Sequence, residues 1–351
     1  MARRSVVGLD IGTSAVRAAE LSHGRGGPTL ERFGQGGLPP GAVRDGEVVD
    51  PAAVAAALQT LWSQVKFSSK KVVVGVANQK VVVRQVDLAW LPPDEMKASL
   101  AFQVQDAIPI PVDQAVLDYH PLEEFESESG ARMLRVLLVA AGREMVDGLL
   151  AAVAQAGLRP SRVDLTSFAV LRAMRGAGAE LGGTTSDALV DIGAAVTNII
   201  VHQGDVPHFV RVLLMGGDDI THAVAERLGV PVEQAEEVKQ RGRLAGAEGG
   251  DDHPASRAID ATGALLIEEV RGSLDYYRTQ GGAARIDRVV LSGGGARLEG
   301  LAERLSGATR LPVVLAQPFA QLRKGRSGLT DEQLASVELA AAVPVGLALA
   351  S

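Results

Sequence analysis

A chain of 351 residues, 46% hydrophobic and 22% charged, has the composition of a folded protein of roughly two domains and excludes extensive disorder. Its formal net charge of −7 argues against a broad nucleic-acid surface, which needs clustered cations to neutralise phosphates. The lack of cysteine excludes disulfides, thiolate metal centres and cysteine nucleophiles.

In chain order, "VVGLDIGTSAVRAAEL" (Val6 to Leu21) predicts a strand over Val6–Asp10, a turn, and a second strand over Val16–Leu21. A polar Gly/Pro-rich loop is expected from His23 to Gly46. Pro51 opens a helix, with Val54, Leu58, Leu61 and Val65 on one stripe, and "KVVVGVA" reads as a covered central strand. From Gln79 the pattern is strand, helix (Pro92 to Asp106), two strands flanking the acidic "EEFESESG", and a helix over Arg143 to Ala156. We read residues 79–159 as an inserted small α+β module. A helix over Leu165 to Arg175 leads to the boundary loop "GAGAELGGTTS".

The second half repeats the grammar of the first. "LVDIGAAVTNIIV" (Leu189 to Val201) predicts a strand, a turn and another strand, followed by a strand over His208–Leu214. Then come the "GGDDIT" turn into a helix, a helix over Val232 to Leu244, and a Gly/Asp loop from Gly246 to Pro254. A long helix over Ile259 to Thr279 precedes "RVVLSGGG", and a helix, a turn and an apolar tail finish the chain. The N-terminus carries too few apolar residues for a signal sequence, and no run reaches the roughly 18 to 20 needed to cross a bilayer. Membrane association is therefore expected only through a partner.

Asp10 and Asp191 each end a strand at an Asp-x-Gly turn, 181 residues apart, the spacing of a duplicated domain. Two such carboxylates facing across a cleft suit Mg²⁺, which binds one or two carboxylates together with water and phosphates. Gly12 and Gly193 let the backbone approach phosphate oxygens, the amides of Thr13, Ser14, Ala194 and Ala195 can donate to them, and Arg17 adds positive charge. Gly293, Gly294 and Gly295 join a strand to a helix but lack the dinucleotide fingerprint. Glu236 and Lys239, three apart on a helix, read in isolation as a solvated ion pair. Neither a P-loop nor a GxSxG elbow is present.

The order DIG, DIG, GGG, with Glu-x-x-Lys between the second and third, resembles the actin-like ATPase superfamily. Stretches such as "GLDIGTSAVRAAEL", "LPPGAVRDGEVVDP", "DAIPIPVDQAVLDYHPL" and "RVVLSGGGARLEGLAERL" extend that resemblance, over almost the whole chain, to the PilM family of type IV pilus assembly proteins, in the branch shared with FtsA. The resemblance implies an α/β fold of duplicated actin-like (ribonuclease-H-like) domains with a nucleotide cleft between them. Residues 1–78 with 160–184 would form the first domain and 185–351 the second, with a small helical subdomain near 222–258. It implies ATP and Mg²⁺ as ligands, with Asp10 and Asp191 facing the metal through water. Thr13, Ser14, Gly193, Gly216 and Gly217 would lie near phosphates, Glu236 and Lys239 near ribose and base, and Gly293 to Gly295 and Arg297 at the adenosine.

Thr166 stands where the family pattern has a carboxylate that orients water, and Asp164 lies close by, so slow or negligible hydrolysis is expected. Asp10, Asp191 and Asp164 are the carboxylates nearest to any chemistry. The resemblance also implies a cytoplasmic protein at the inner-membrane face. It would bind the cytoplasmic N-terminal segment of a PilN-like membrane protein, in a groove between the first domain and the module, with self-association as a further expectation. An FtsA-like filament former and a sugar or acetate kinase of the same superfamily are the rival readings.

Overall fold

The computed structural model describes residues 4–174, 186–204, 206–244, 253–280, 283–325 and 327–350. All but the final serine of the boundary loop "GAGAELGGTTS" and most of the Gly/Asp loop that starts at Gly246 lie outside them.

The first half runs β1 (Arg4–Ile11), β2 (Ala15–Gly24), β3 (Gly27–Gly37), the small hairpin β4 (Val43–Arg44) and β5 (Glu47–Val48), α1 (Pro51–Val65) and β6 (Lys71–Val76). The inserted block follows as β7 (Val81–Ala89), α2 (Pro93–Gln103), β8 (Ala115–Glu126) and β9 (Arg132–Gly142). Next come α3 (Arg143–Gln155), β10 (Arg159–Leu165) and α4 (Thr166–Ala173). The second half runs β11 (Ser186–Ile192), β12 (Thr197–Gln203), β13 (Val206–Leu213), α5 (Gly217–Leu228), α6 (Val232–Arg241), α7 (Pro254–Arg278), β14 (Arg288–Ser292), α8 (Leu301–Thr309) and β15 (Val313–Leu315). The chain closes with β16 (Arg323–Lys324), α9 (Asp331–Val337) and α10 (Ala342–Ala348).

The duplication is visible in the sheets. One has the order β10-β6-β1-β2-β3-β16 and the other β13-β12-β11-β14-β15. In each, the strand bearing Asp-x-Gly is central, pairs antiparallel with its hairpin partner, and pairs parallel with a later strand. Both central strands are near-continuous apolar runs, as strands covered on both faces require.

Three expectations change. The segment from His23 to Gly46 is not a loop throughout, since β3 occupies eleven of its residues. Leu30 and Phe33 are buried although three apart, because a bulge at Glu31 pairs Leu30 with Leu21 and Arg32 with Glu20. That extra residue breaks the alternation by which a strand is read. Helix α3, grouped with the module on sequence, instead buries Met145, Val146, Leu149 and Val153 in one core with Leu58 of α1 and Val74 of β6. The module's own core is the sheet β7-β9-β8 under α2, built on Met96, Leu100, Val136 and Leu138.

The third change concerns the tail. It does not stay with the second half: β16 pairs parallel with β3, and α10, buried along its length, packs with α4 between the two large sheets. Their shared core joins Ala19, Leu21 and Val73 of the first sheet to Leu189, Ile200 and Val290 of the second. The approach is tight. A Cβ on Gly346 would fall 1.7 Å from the carbonyl oxygen of Ala169, so α10 seats on α4 only with glycine there.

Candidate functional site

Both Asp-x-Gly turns close in the same way, with the Gly12 N–H donating to Ala15 O at 3.0 Å and the Gly193 N–H donating to Val196 O at 2.9 Å. They present two carboxylates toward one another. Arg17, opposite Asp10 in the hairpin register, places Nη1 3.6 Å from Asp10 Oδ2. Burial pushes the Asp10 carboxyl up to about 6; Arg17 opposes the rise and the charge of Asp191 adds to it. Asp191 is itself pushed up by burial, against hydrogen bonds from Ser292 and Asn198 and the field of Arg17. The structure thus brings Asp10, Arg17 and Asp191 within electrostatic reach of each other. Arg17 Nε is buried with no hydrogen-bond partner, an unmet donor beside two carboxylates whose ionisation is resisted.

Around this centre the remaining residues fall as follows. Thr13 and Ser14 form the first turn and Gly193 to Val196 the second. The start of α5 docks on the second turn, the Gly217 N–H donating to Gly193 O at 3.0 Å and the Asp218 N–H to Ala194 O at 2.8 Å. A Cβ on Gly216 would lie 2.4 Å from Ala194 O, which restricts that position to glycine. Burial raises the Asp218 carboxyl, and Lys239 opposes the rise.

Glu236 and Lys239 are not a solvated pair. Lys239 Nζ donates to Gly217 O at 3.0 Å and to Thr221 Oγ1 at 2.8 Å and lies 2.6 Å from Glu236 Oε2, its side chain only 14% exposed. Thr221 Oγ1 donates to Glu236 at 2.5 Å. Burial works against the charge on Glu236, yet hydrogen bonds from Lys239, Thr221 and Gln240 hold its carboxyl below the usual range. The isolated-helix reading failed because it omitted α5, which brings Thr221 and Gly217 over the pair.

Gly293 has φ of +87° and its N–H donates to Leu339 O at 2.7 Å. Gly295 packs on Ile192, and Gly217 sits close enough that its Cβ would be 4.0 Å from Gly295 Cα. The third glycine motif therefore meets the second turn and the start of α5. A Cβ on Gly294 would meet nothing within 4 Å, which leaves an open ledge. Arg297 Nη2 donates to Ser336 O; burial and the like charge of Arg17 push its proton affinity down.

Thr166 and Asp164 are placed differently from each other. Thr166 Oγ1 lies 3.3 Å from both Val76 O and Asn198 Oδ1, one contact away from Asp191. Asp164 of β10 is turned into an ion pair with Arg172 of α4, whose Nε donates to Gly346 O of α10 at 3.0 Å, so the carboxylate steadies the guanidinium that links α4 to α10. The sequence reading missed Ser292, Asn198 and Thr221. Two carried a legible signal: Asn198 and Ser292 are the register partners of Asp191 on its two neighbouring strands.

At the module, Gln85 Nε2 of β7 donates to His208 O of β13 at 3.0 Å. A groove of about 790 Å³ opens there, lined by Arg84, Ile108, Phe209, Arg211 and Tyr276 among others. Among the described residues no helix is long and apolar enough to cross a membrane.

Two duplicated α/β domains with paired acidic turns between them define an actin-like ATPase fold, and the comparisons agree. The likeness extends to the ethanolamine utilization protein EutJ of Carboxydothermus hydrogenoformans, at TM-score 0.58 and 16% identity over 100% of this chain and 91% of that one. It extends also to MreB 5 of Spiroplasma citri bound to AMPPNP, at TM-score 0.55 and 12% identity over 99% and 95%. The profile described as "Type IV pilus assembly protein PilM" matches residues 8–351, and the chain belongs to that family. A solved PilM-PilN type IV pilus biogenesis complex is similar at TM-score 0.86 and 30% identity, covering 99% of this chain and 98% of that one. The cell division protein FtsA of Pseudomonas aeruginosa is 27% identical over 93% of this chain and 85% of its own length.

Proposed function

We propose that this chain is an ATP-binding, actin-like scaffold at the cytoplasmic face of the inner membrane, binding the cytoplasmic N-terminal segment of a PilN-like protein in an assembly platform of the type IV pilus kind. The observation that carries the reading is the near full-length likeness to the PilM-PilN complex. A segment of the partner would lie beside the inserted module, between it and the first domain.

The site's own chemistry fits a nucleotide with Mg²⁺. Two carboxylates whose charge is destabilised by burial gain most from an added cation, and the unmet Arg17 Nε gains most from an added anion. Asp10 and Asp191 would hold Mg²⁺ through water; Thr13, Ser14, Gly193 and the start of α5 would face phosphates. Thr221, Glu236 and Lys239 would meet the ribose, and the Gly293–Gly295 ledge with Arg297 the adenosine. Bound Mg²⁺ would neutralise phosphate charge. Hydrolysis further needs a group that orients water. Thr166 offers a neutral hydroxyl held near Asn198, and Asp164 is committed to Arg172, so turnover is expected to be slow or negligible. Nucleotide can then bias domain closure only through different affinities for the two states.

The test is a titration of the purified chain against a fluorescent peptide from the cytoplasmic N-terminus of a PilN encoded nearby, with and without ATP and Mg²⁺, beside a direct titration with fluorescent ATP. Saturable peptide binding supports the scaffold role. No binding in either condition removes it.

A further inference from the structure

The acidic chain gathers positive charge at one place. Parallel strands β1, β6 and β10 carry the candidate site at their C-terminal ends; at their N-terminal ends the register sets Arg159 beside Lys71, with Arg4 at the start of β1. Lys66 caps the C-terminus of α1, Lys70 precedes β6, and Arg25 lies in the turn between β2 and β3. Residues 22–28, 63–76 and 155–163 contain Arg25, Lys66, Lys70, Lys71, Arg159 and Arg162 and not one Asp or Glu. All six are exposed, and among the described residues no carboxylate forms an ion pair with any of them. The adjoining Glu20 is 1% exposed and already taken by Arg32, Ser5 and Ser68. Val72 pairs with Val7, so Lys71 and its register partner Arg159 lie level with Val6, four residues from Asp10, and at about 3.3 Å per residue the basic rim stands roughly 13 Å from the acidic turn.

We propose that this rim is a docking face for the anionic phospholipid headgroups of a bilayer, so that the protein touches the membrane directly, with the acidic turns pointing away from it. The inference goes beyond the scaffold reading, since it needs neither nucleotide nor a protein partner. Charges that repel one another at one rim of a chain of net charge −7 are stabilised by an extended anionic surface, each Lys or Arg strengthening attraction about fivefold. Nucleic acid is the less suitable polyanion. Single strands are gripped by aromatic rings that stack on bases, and no exposed aromatic residue lies in these three segments; Phe102 and Tyr276, the exposed ones, are in α2 and α7.

The experiment is co-sedimentation of the full chain with vesicles of mixed phosphatidylglycerol and phosphatidylcholine, against vesicles of phosphatidylcholine alone. The expected result is binding to the anionic vesicles only, abolished when salt rises from about 50 mM to about 0.5 M. A triple variant, Lys70→Gln, Lys71→Gln and Arg159→Gln, should weaken binding roughly a hundredfold, three factors of about five. Removing three cations from the second half (Arg211→Gln, Arg227→Gln, Arg241→Gln) should change it little. Should the triple variant melt early, the salt titration of the unaltered chain decides. The inference is overturned by no anionic-vesicle binding at low salt, by equal losses in both triple variants, or by tighter binding to poly(U) than to vesicles.

Discussion

Asp10→Asn should stabilise the ligand-free protein above neutral pH, by an amount the geometry allows to be worked out. Asp10 ends a covered strand with its side chain 14% exposed, and burial lifts its carboxyl from 3.8 to about 6 with Arg17 already counted. Because the folded value exceeds the unfolded one, the carboxyl contributes stability below pH about 4 that is lost as pH rises toward 6. Two units at 1.36 kcal/mol each give a penalty of about 3 kcal/mol at pH 7.5 and about half that at pH 5. Asparagine keeps the shape and removes the charge. Calorimetric melting in EDTA should place the variant about 5 °C above the parent at pH 7.5, with the gap roughly halved at pH 5, while its affinity for ATP with Mg²⁺ falls. An equal or lower melting temperature at pH 7.5, or a gap that does not shrink with acid, would refute the reasoning.

Three further outcomes are expected. Gly294→Ala meets no neighbour and should melt within about 1 °C of the parent, yet weaken binding of fluorescent ATP if the adenosine lies on that ledge. Lys239→Ala removes the cation that Glu236, Thr221 and the Gly217 carbonyl share in a half-buried network. Its cost should be about 1–3 kcal/mol, read as a lower urea midpoint with unchanged slope. Leu347→Ala, at a fully buried position of α10, should cost about 2–5 kcal/mol through lost transfer and the cavity left behind, measured in the same urea titration.

Where periodicity and burial coincide, the fold is plain in the residues. Val72 to Val74 and Ala188 to Val190 are covered on both faces, and their apolar runs mark central strands; the two Asp-x-Gly turns that end such strands announce the duplication. The reading failed where a long-range partner determines the outcome. Glu31 bulges out of β3 and masks it, and Met145 and Leu149 of α3 choose α1 over the adjacent module. The apolar tail around Val343 gives no local sign that it returns to lie on α4. At the site, strand-end and turn residues were legible because their chemistry is local. Thr221 was not, because only the docking of α5 on α6 places its hydroxyl against Lys239 and Glu236.

The returning tail constrains how the two halves can move. The polypeptide passes from one lobe to the other after α4 and comes back after β15, and Gly293 is tethered to Leu339 on that return path. The lobes are thus clasped by the seat of α10 on α4 and by this one hydrogen bond, and any movement that parts the two large sheets has to break into the apolar layer they share.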